Sequence, residues 1–365
     1  MLMRHKFRIS MITVTFNCVN TVEQTIKSVL NQKSSDIEYI IVDGMSTDGT
    51  WEVINQYADR IDRIIHEPDT GIYDAMNKGI AASSGEIIGF INGDDWLDDE
   101  TISTVIDSFD DGIDVLYGRI YVLKKDGSYE ISEKESMEDI WYKMIPHPSV
   151  FVKRSCFSRW GFFDDRYLIA ADYDLILRFY INNAKFLYNN QLTVYFREGG
   201  VSTTRTLESA LEVREISNKY VRYCDDREKF QELIIRRFVN SIFDYICCDD
   251  SYGIRRRIEN KFDHQLGDLC VFGAGYWGTR LLERLKINDI KCSRIVDNNE
   301  SRIGEIIGDT VVYSPQILIH GKWDVIIATS SGFEGIKEQI RKYNNPLIRC
   351  YWLPEIDDDL YRLCV

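Results

Sequence analysis

Glu86-Ile87-Ile88-Gly89-Phe90-Ile91-Asn92-Gly93-Asp94-Asp95-Trp96 begins as a short, apolar, β-prone run and stops at two adjacent acids. The run predicts a buried strand with a carboxylate pair at its open end. Adjacent carboxylates repel each other. A fold tolerates them most easily when a cation lies between them and a second anion. Divalent cations held this way bridge one or two protein carboxylates to substrate phosphates. Gly93-Asp94-Asp95 is also good turn chemistry, so this stretch alone leaves a solvated turn open.

The flanking sequence repeats a strand–helix rhythm. Strands are expected over residues 9–15, 37–42, 63–65 and 87–91. Helices are expected over 21–32, with Val22, Ile26, Val29 and Leu30 on one face, and over 73–82. Another helix carries Trp51, Val53, Ile54 and Tyr57, with Ser46 or Thr47 as its cap. This pattern predicts a mostly parallel sheet with helices on both faces, an α/β fold. Such sheets bind ligands beyond the carboxyl ends of their strands. Asp43, Glu67 and Asp94-Asp95 all fall at such ends, on three separate strands.

The length of 365 residues suits two domains, and 44% hydrophobic with 28% charged residues is the composition of a folded, soluble chain. The net charge of −14 argues against a nucleic-acid partner. The nine cysteines lack metal-site spacing, and Cys247-Cys248 is an adjacent pair, so core thiols of a reducing cytoplasm are expected. Residues 1–6 are basic, but Ser10, Thr13, Thr15 and Asn17 follow, which fits neither a signal peptide nor a membrane span. Any membrane contact is then peripheral, and the oligomeric state is left open. A first domain over 1–204, a charged helical connector over 205–265 and a small domain over 266–365 complete the expected organisation.

Five stretches then occur in order: Ile12-Thr13-Val14-Thr15-Phe16-Asn17, Val42-Asp43-Gly44-Met45-Ser46-Thr47-Asp48-Gly49-Thr50, Gly71-Ile72-Tyr73-Asp74-Ala75-Met76-Asn77-Lys78-Gly79, Asn92-Gly93-Asp94-Asp95 and Ala171-Asp172-Tyr173-Asp174. Together they make residues 8–204 resemble the inverting glycosyltransferases of family 2, with a GT-A fold, in the flavour of bacterial surface-polysaccharide enzymes. The resemblance implies a cytoplasmic enzyme, free or peripheral at the inner face of the membrane. It would move a hexosyl or N-acetylhexosaminyl group from a nucleotide-sugar, a UDP-sugar first, to a glycan or lipid-linked glycan acceptor. Mn²⁺ or Mg²⁺ would neutralise the leaving diphosphate.

By the same resemblance, Asp95 is the metal ligand and Asp94 the partner of the ribose or of metal-bound water. Asp43 reads the base N–H, or alternatively caps the following turn, and Thr15 and Asn17 line the nucleotide pocket or form only a polar strand end. Asp69 and Asn77 bracket a segment facing the diphosphate and donor sugar, with Asn77 donating to a phosphate or hydroxyl. Arg197 opens the closing segment 197–202 and meets a phosphate. Asp172 is the base for the acceptor hydroxyl and Asp174 its competitor; both also fit as helix N-terminal acids favoured by the dipole. The family often has Glu-Asp where this chain has Ala171-Asp172. His147 lies on the path to the acceptor and is equally readable as structural. Lys78 reads as a solvated helix lysine, and Tyr73 and Met76 as core or pocket wall.

Farther on, Val271-Phe272-Gly273-Ala274-Gly275-Tyr276-Trp277-Gly278 follows a strand and opens a helix, and Asp297 comes 19 residues after Gly278, at the end of a strand over 293–296. This is the context of a dinucleotide fingerprint, with Gly273, Gly275, Gly278 and Asp297 as candidate binders in a small Rossmann-like domain. Glycines serving only a tight strand–helix turn explain the motif equally well. Two other functions compete. A sugar nucleotidyltransferase needs a Gly-rich basic loop after the first strand, whereas Thr15-Phe16-Asn17-Cys18-Val19-Asn20 has neither Gly nor Arg. A nucleotide-sensing or assembly protein with an inactive transferase domain would show no metal-dependent turnover.

Overall fold

The structure is a computed structural model and describes residues 7–34, 36–132, 137–200, 205–248, 252–264 and 266–364. The chain divides into two compact units, Met1–Phe230 and Gln231–Val365. Each is described by itself.

The first unit is built on β1 (Ile9–Thr15), β2 (Ile37–Asp43), β3 (Arg63–His66), β4 (Ile87–Asn92), β5 (Trp96–Leu97), β6 (Val115–Leu123), β7 (Tyr129–Ile131), β8 (Phe151–Lys153) and β9 (Phe186–Arg197). Helices α1 (Val22–Leu30), α2 (Thr50–Asn55), α3 (Ile72–Ala82), α4 (Thr101–Ser108), α5 (Arg154–Trp160) and α6 (Ala171–Ile181) connect them. The sheet order is β3-β2-β1-β4-β8-β6-β9-β5, with β7 paired to β6. The first four strands are parallel. Beyond them β8 runs antiparallel to β4 and β6, while β6 and β9 are parallel. Every residue of β1 is buried, as expected of a central strand covered on both faces.

Packing explains why the strand ends line up. Helix α3 lies close against β1: a Cβ on Gly79 would collide with the Ile12 side chain, so glycine sets the helix–sheet distance. Below the opposite ends of the strands sits Glu38, only 3% exposed. It accepts hydrogen bonds from Ser10 Oγ (2.5 Å), from Ser84 N and Oγ (2.7 and 2.8 Å) and from Gly85 N (3.3 Å). Burial alone would raise its pKa, but these donors outweigh burial and hold the carboxyl below its usual range. β1, β2 and the start of β4 are thereby tied together at one end, which frees the other end for chemistry.

The expected cap of α2 is corrected. Neither Ser46 nor Thr47 caps it; Asp48 does this work, accepting from Thr50 N at 3.0 Å, while Ser46 turns back to Asp43. The helix Thr206–Tyr220 completes the first unit's helical side.

The second unit has a smaller sheet of β10 (Asp268–Phe272), β11 (Arg294–Val296), β12 (Ile306–Ile307), β13 (Thr310–Tyr313), β14 (Trp323–Ile327) and β15 (Ile348–Trp352). Its order is β12-β13-β11-β10-β14-β15, parallel except for the β12–β13 hairpin. A 12-residue helix, Tyr276–Ile287, follows β10. Among the described residues no helix is long and apolar enough to cross a membrane.

Candidate active site

The carboxyl ends of β1, β2, β3 and β4 bring together most of the acids singled out in the sequence. Asp94 and Asp95 follow β4 directly. Asp95 has no exposed surface. Its Oδ1 accepts from Arg197 N at 2.9 Å, and Asn92 Nδ2 lies 3.3 Å from its Oδ2. Arg197 closes the ring from β9: its Nε donates to the Asp94 carbonyl at 3.2 Å and its Nη2 to Gln24 Oε1 at 3.0 Å. Its guanidinium sits 5.2 Å from the Trp96 ring centre. Burial first, and then the neighbouring Asp94 charge, push Asp95 well above the ordinary carboxylate range. Burial also raises Asp94, against the lowering pull of its own backbone and of Arg197.

This environment fits a divalent cation. The available donors are all oxygen, the carboxylates are desolvated and mutually repelling, and Asn92 Oδ1 is buried beside them without a hydrogen-bond partner. Among the described residues no three His, Cys, Asp or Glu side chains form a metal-binding group, so the remaining ligands of such an ion are water or substrate oxygens.

A second cluster lies at the ends of β1, β2 and β3. Asp43 is fully buried. Its Oδ1 accepts from Thr15 Oγ1 (2.9 Å) and Ser46 Oγ (2.5 Å); its Oδ2 accepts from Ser46 N (3.0 Å) and faces His66 Nδ1 at 2.7 Å. Four donors on two oxygens leave no lone pair for a nucleobase N–H unless one donor moves. These donors hold the Asp43 carboxylate in place at the wall of the pocket. Asn17, with φ +50°, laces the β1 loop to the β2 loop, accepting from Thr47 N at 2.8 Å. Asp69 accepts from Gly71 N at 3.0 Å and packs where a Cβ on Gly44 would stand. Burial raises its pKa. Lys78 is not solvated as expected; it is 23% exposed and reaches the Pro68 carbonyl (2.6 Å), Glu67 (3.2 Å) and Asp74 (3.3 Å).

The third group surrounds the start of α6. Asp172 is 8% exposed. Tyr173 N donates to its Oδ1 at 2.9 Å, and the Tyr73 hydroxyl lies 3.0 Å from the same oxygen and 2.6 Å from the Ile169 carbonyl. These hydrogen bonds converge on Oδ1 and leave Oδ2 as the oxygen able to take a proton. Burial raises the Asp172 pKa, opposed by the field of His147. Burial in turn lowers the His147 pKa, against the raising pull of Asp172. His147 packs against Phe90 and Phe163, with ring centres at 5.6 and 5.8 Å.

Asn77 is engaged locally as Asp43 is. It grips the backbone of Phe163, donating from Nδ2 to its carbonyl (2.9 Å) and accepting at Oδ1 from its N–H (3.1 Å). With both ends of its amide engaged it positions Phe163, which packs on Tyr73 and His147, the two neighbours of Asp172.

Asp174 does a different job from Asp172. It is 1% exposed and binds Arg178 Nη2 (2.7 Å), Lys219 Nζ (2.7 Å) and the Tyr220 hydroxyl (2.9 Å), fastening the helix Thr206–Tyr220 to α6. Asp174→Asn is expected to lower stability by about 2–3 kcal/mol, below the usual cost of breaking a buried pair because both cations are partly exposed. Thermal or urea unfolding of the variant checks this; an unchanged melting temperature contradicts the fastening role.

His66 and the Trp96–Tyr195 pair were not singled out in the sequence. His66 follows an expected strand directly, the same signal that drew attention to Asp43. Its ring stacks on Trp51 with centres 3.9 Å apart. Of the closing segment 197–202, residues 201 and 202 lie outside the described residues.

In the second unit, Gly273 has φ +111°, and a Cβ on Gly278 would collide with the Gly273 carbonyl. Both glycines serve the strand–helix turn. A Cβ on Gly275 meets nothing within 4 Å. Asp297 accepts from Ala274 N at 2.6 Å and from Asn299 N at 2.7 Å. Asp297, a candidate binder in the sequence, is thus engaged by the glycine loop itself.

The first unit has the mixed α/β architecture of GT-A-like structures. The chain resembles the mannosyltransferase PcManGT from Pyrobaculum calidifontis, solved with GDP-Man and Mn²⁺, at TM-score 0.54 and 12% identity, covering 78% of this chain and 86% of that one. S. aureus TarS 1-349 in complex with UDP is similar at TM-score 0.50 and 15% identity, covering 76% and 88%. At such identities the likeness is one of fold. Residues 10–160, under half of the chain, match the model described as Glycosyl transferase family 2. A PGL/p-HBAD biosynthesis glycosyltransferase of Mycobacterium bovis is 29% identical over 204 residues, 53% of this chain and 79% of that protein. Residues 268–346 match the model described as C2185-like, N-terminal.

Proposed function

We propose that the first unit is an inverting, metal-dependent glycosyltransferase that moves a hexosyl or N-acetylhexosaminyl group from a nucleotide-sugar to a hydroxyl of a glycan or lipid-linked acceptor. The observation that carries this reading is the half-buried Asp94 beside the buried Asp95 at the end of β4, held by Arg197, both raised in pKa by burial and Asp95 further by the charge of Asp94. Asp95 and Asp94 would hold Mn²⁺ or Mg²⁺. When bound, the ion supplies positive charge to a leaving diphosphate. The chain's own residues do the rest. Asp172 Oδ2 takes the proton of the acceptor hydroxyl as it attacks the anomeric carbon, while Tyr73 and Tyr173 N hold Oδ1 still. Arg197 anchors the acid pair and stands ready for phosphate.

The ligands of the two solved neighbours, UDP and GDP-mannose, make a nucleotide-sugar the donor class to test first. A thermal-shift panel of nucleotide-sugars with Mn²⁺ tests the reading directly, since a ligand of the folded state stabilises it by mass action. Absence of any metal-dependent stabilisation across UDP-, GDP- and TDP-sugars contradicts it.

Within the nucleotide pocket, Asp43 acts through His66. Nδ1–H donates to Asp43, which leaves Nε2 as the ring nitrogen with a free lone pair for a base N–H. His66→Ala is expected to raise KM for the donor about tenfold, one good hydrogen bond's worth, with kcat within a few-fold. An unchanged KM places the base contact elsewhere. The second unit is proposed to be a small Rossmann-like domain whose glycines serve its first turn.

A further inference from the structure

The sheet of the first unit has two different faces at its β6-β7-β9-β5 end. One face carries Leu97, Ile120, Val122 and Val194 into the core. The other carries a row of aromatic side chains. Trp96 pairs with Tyr195, and Tyr195 pairs with Tyr121, in register across three strands. The Trp96 and Tyr195 rings are parallel within 2° at 5.0 Å; Tyr121 lies 5.4 Å and Tyr129 6.0 Å from Tyr195. Tyr129, on the hairpin strand β7, is 53% exposed. None of these rings belongs to the groups around Asp95, Asp43 or Asp172, except that Trp96 meets Arg197.

The rings line an open cleft of about 560 Å³ whose remaining walls include Gln24, Asp98 and Asp99. Burial first, and then the charge of Asp98, raise the Tyr195 pKa. Among the described residues the lining has two carboxylates and no cationic side chain. That charge disfavours a nucleotide phosphate or an anionic lipid headgroup. Flat aromatic walls take the C–H face of a pyranose ring, and carboxylate and amide edges accept from and donate to neutral hydroxyls. The cleft joins the acid pair through Arg197, which touches Trp96, Asp94 and Gln24 together.

The geometry points to a saccharide-binding cleft, separate from the transfer site, that holds a neutral or amino-sugar stretch of the acceptor glycan. The assignment of the saccharide as acceptor rests on the transferase reading above; the binding of a saccharide does not. A bound glycan stretch here tethers the acceptor chain while its end is extended.

The test uses the full chain with maltotetraose and chitotetraose as probes, read by saturation-transfer NMR and titration. At least one probe is expected to bind, and Tyr129→Ala and Tyr121→Ala are each expected to weaken it at least fivefold. Nucleotide-sugar hydrolysis without acceptor is expected to stay within twofold of wild type in both variants. Binding of neither probe, or equal binding by wild type and both variants, overturns the proposal. So does a loss of hydrolysis that parallels the loss of binding, which makes the rings mere support for the transfer site. A change of oligomeric state in Tyr129→Ala by sedimentation, without loss of probe binding, makes the face a contact between copies and also overturns it. Cleft-dependent probe binding in a chain that turns over no nucleotide-sugar sinks the transferase reading and leaves the cleft standing.

Discussion

Replacing Asp172 by Asn is expected to lower kcat by about 10²–10⁴-fold, the range of a lost general base, while donor binding persists. The same variant is expected to melt no lower than the wild type. Asp172 has a folded pKa above its unfolded value, because burial opposes its charge. An acid shifted upward contributes a penalty that grows as pH rises from the unfolded pKa through the folded one, so removing the charge relieves the fold at neutral pH. Activity has the opposite sign. The base works only when ionised, so kcat/KM should fall on the acid side with an apparent pKa above the ordinary Asp value of about 3.9. Asp172→Asn should erase that limb. Full turnover in Asp172→Asn removes the role, and a large fall in melting temperature makes the residue structural. Asp174→Asn supplies the contrast: reduced stability with turnover retained below the melting range.

Asp95→Asn is the second large effect. Removing one carboxylate from the pair should reduce metal-dependent turnover roughly 10³-fold, the several kcal/mol that a Lewis acid contributes to a departing diphosphate. Thermal stabilisation by UDP with Mn²⁺ should vanish. In the wild type this linkage is about 2.7 kcal/mol when the nucleotide stands near 100 times its Kd. Without ligand the variant should be at least as stable as the wild type, because burial and Asp94 both oppose the Asp95 charge. Asn retains a carbonyl oxygen for Arg197 N. Undiminished Mn²⁺-dependent stabilisation in Asp95→Asn removes the metal role.

The backbone was the legible part of this chain. β4 is an apolar run and β1 a β-prone one broken only by small hydroxyl residues, and their covered, central positions follow from that pattern. The acids at strand ends were legible for the same reason: a charged residue straight after a buried strand has few other places to be. What a residue does there was less legible, because it depends on partners distant in sequence. For Asp43 those partners are Thr15, Ser46 and His66, none of them legible from its own stretch. For Asn77 the partner is the backbone of Phe163, 86 residues away. Asp172 and Asp174 are alike in sequence and are separated only by Lys219 and Tyr220, brought in by a later helix. The aromatic row is invisible in sequence because Trp96, Tyr121 and Tyr195 meet only through strand register.

The central claim is a divalent cation at the end of β4 facing a nucleotide diphosphate. Crystals grown with UDP and MnCl₂, with data collected near the manganese absorption edge, test it most directly. An anomalous peak within bonding distance of Asp95 or Asp94 and of a diphosphate oxygen is the predicted result. A well-ordered nucleotide at these strand ends with no anomalous peak beside either acid contradicts it.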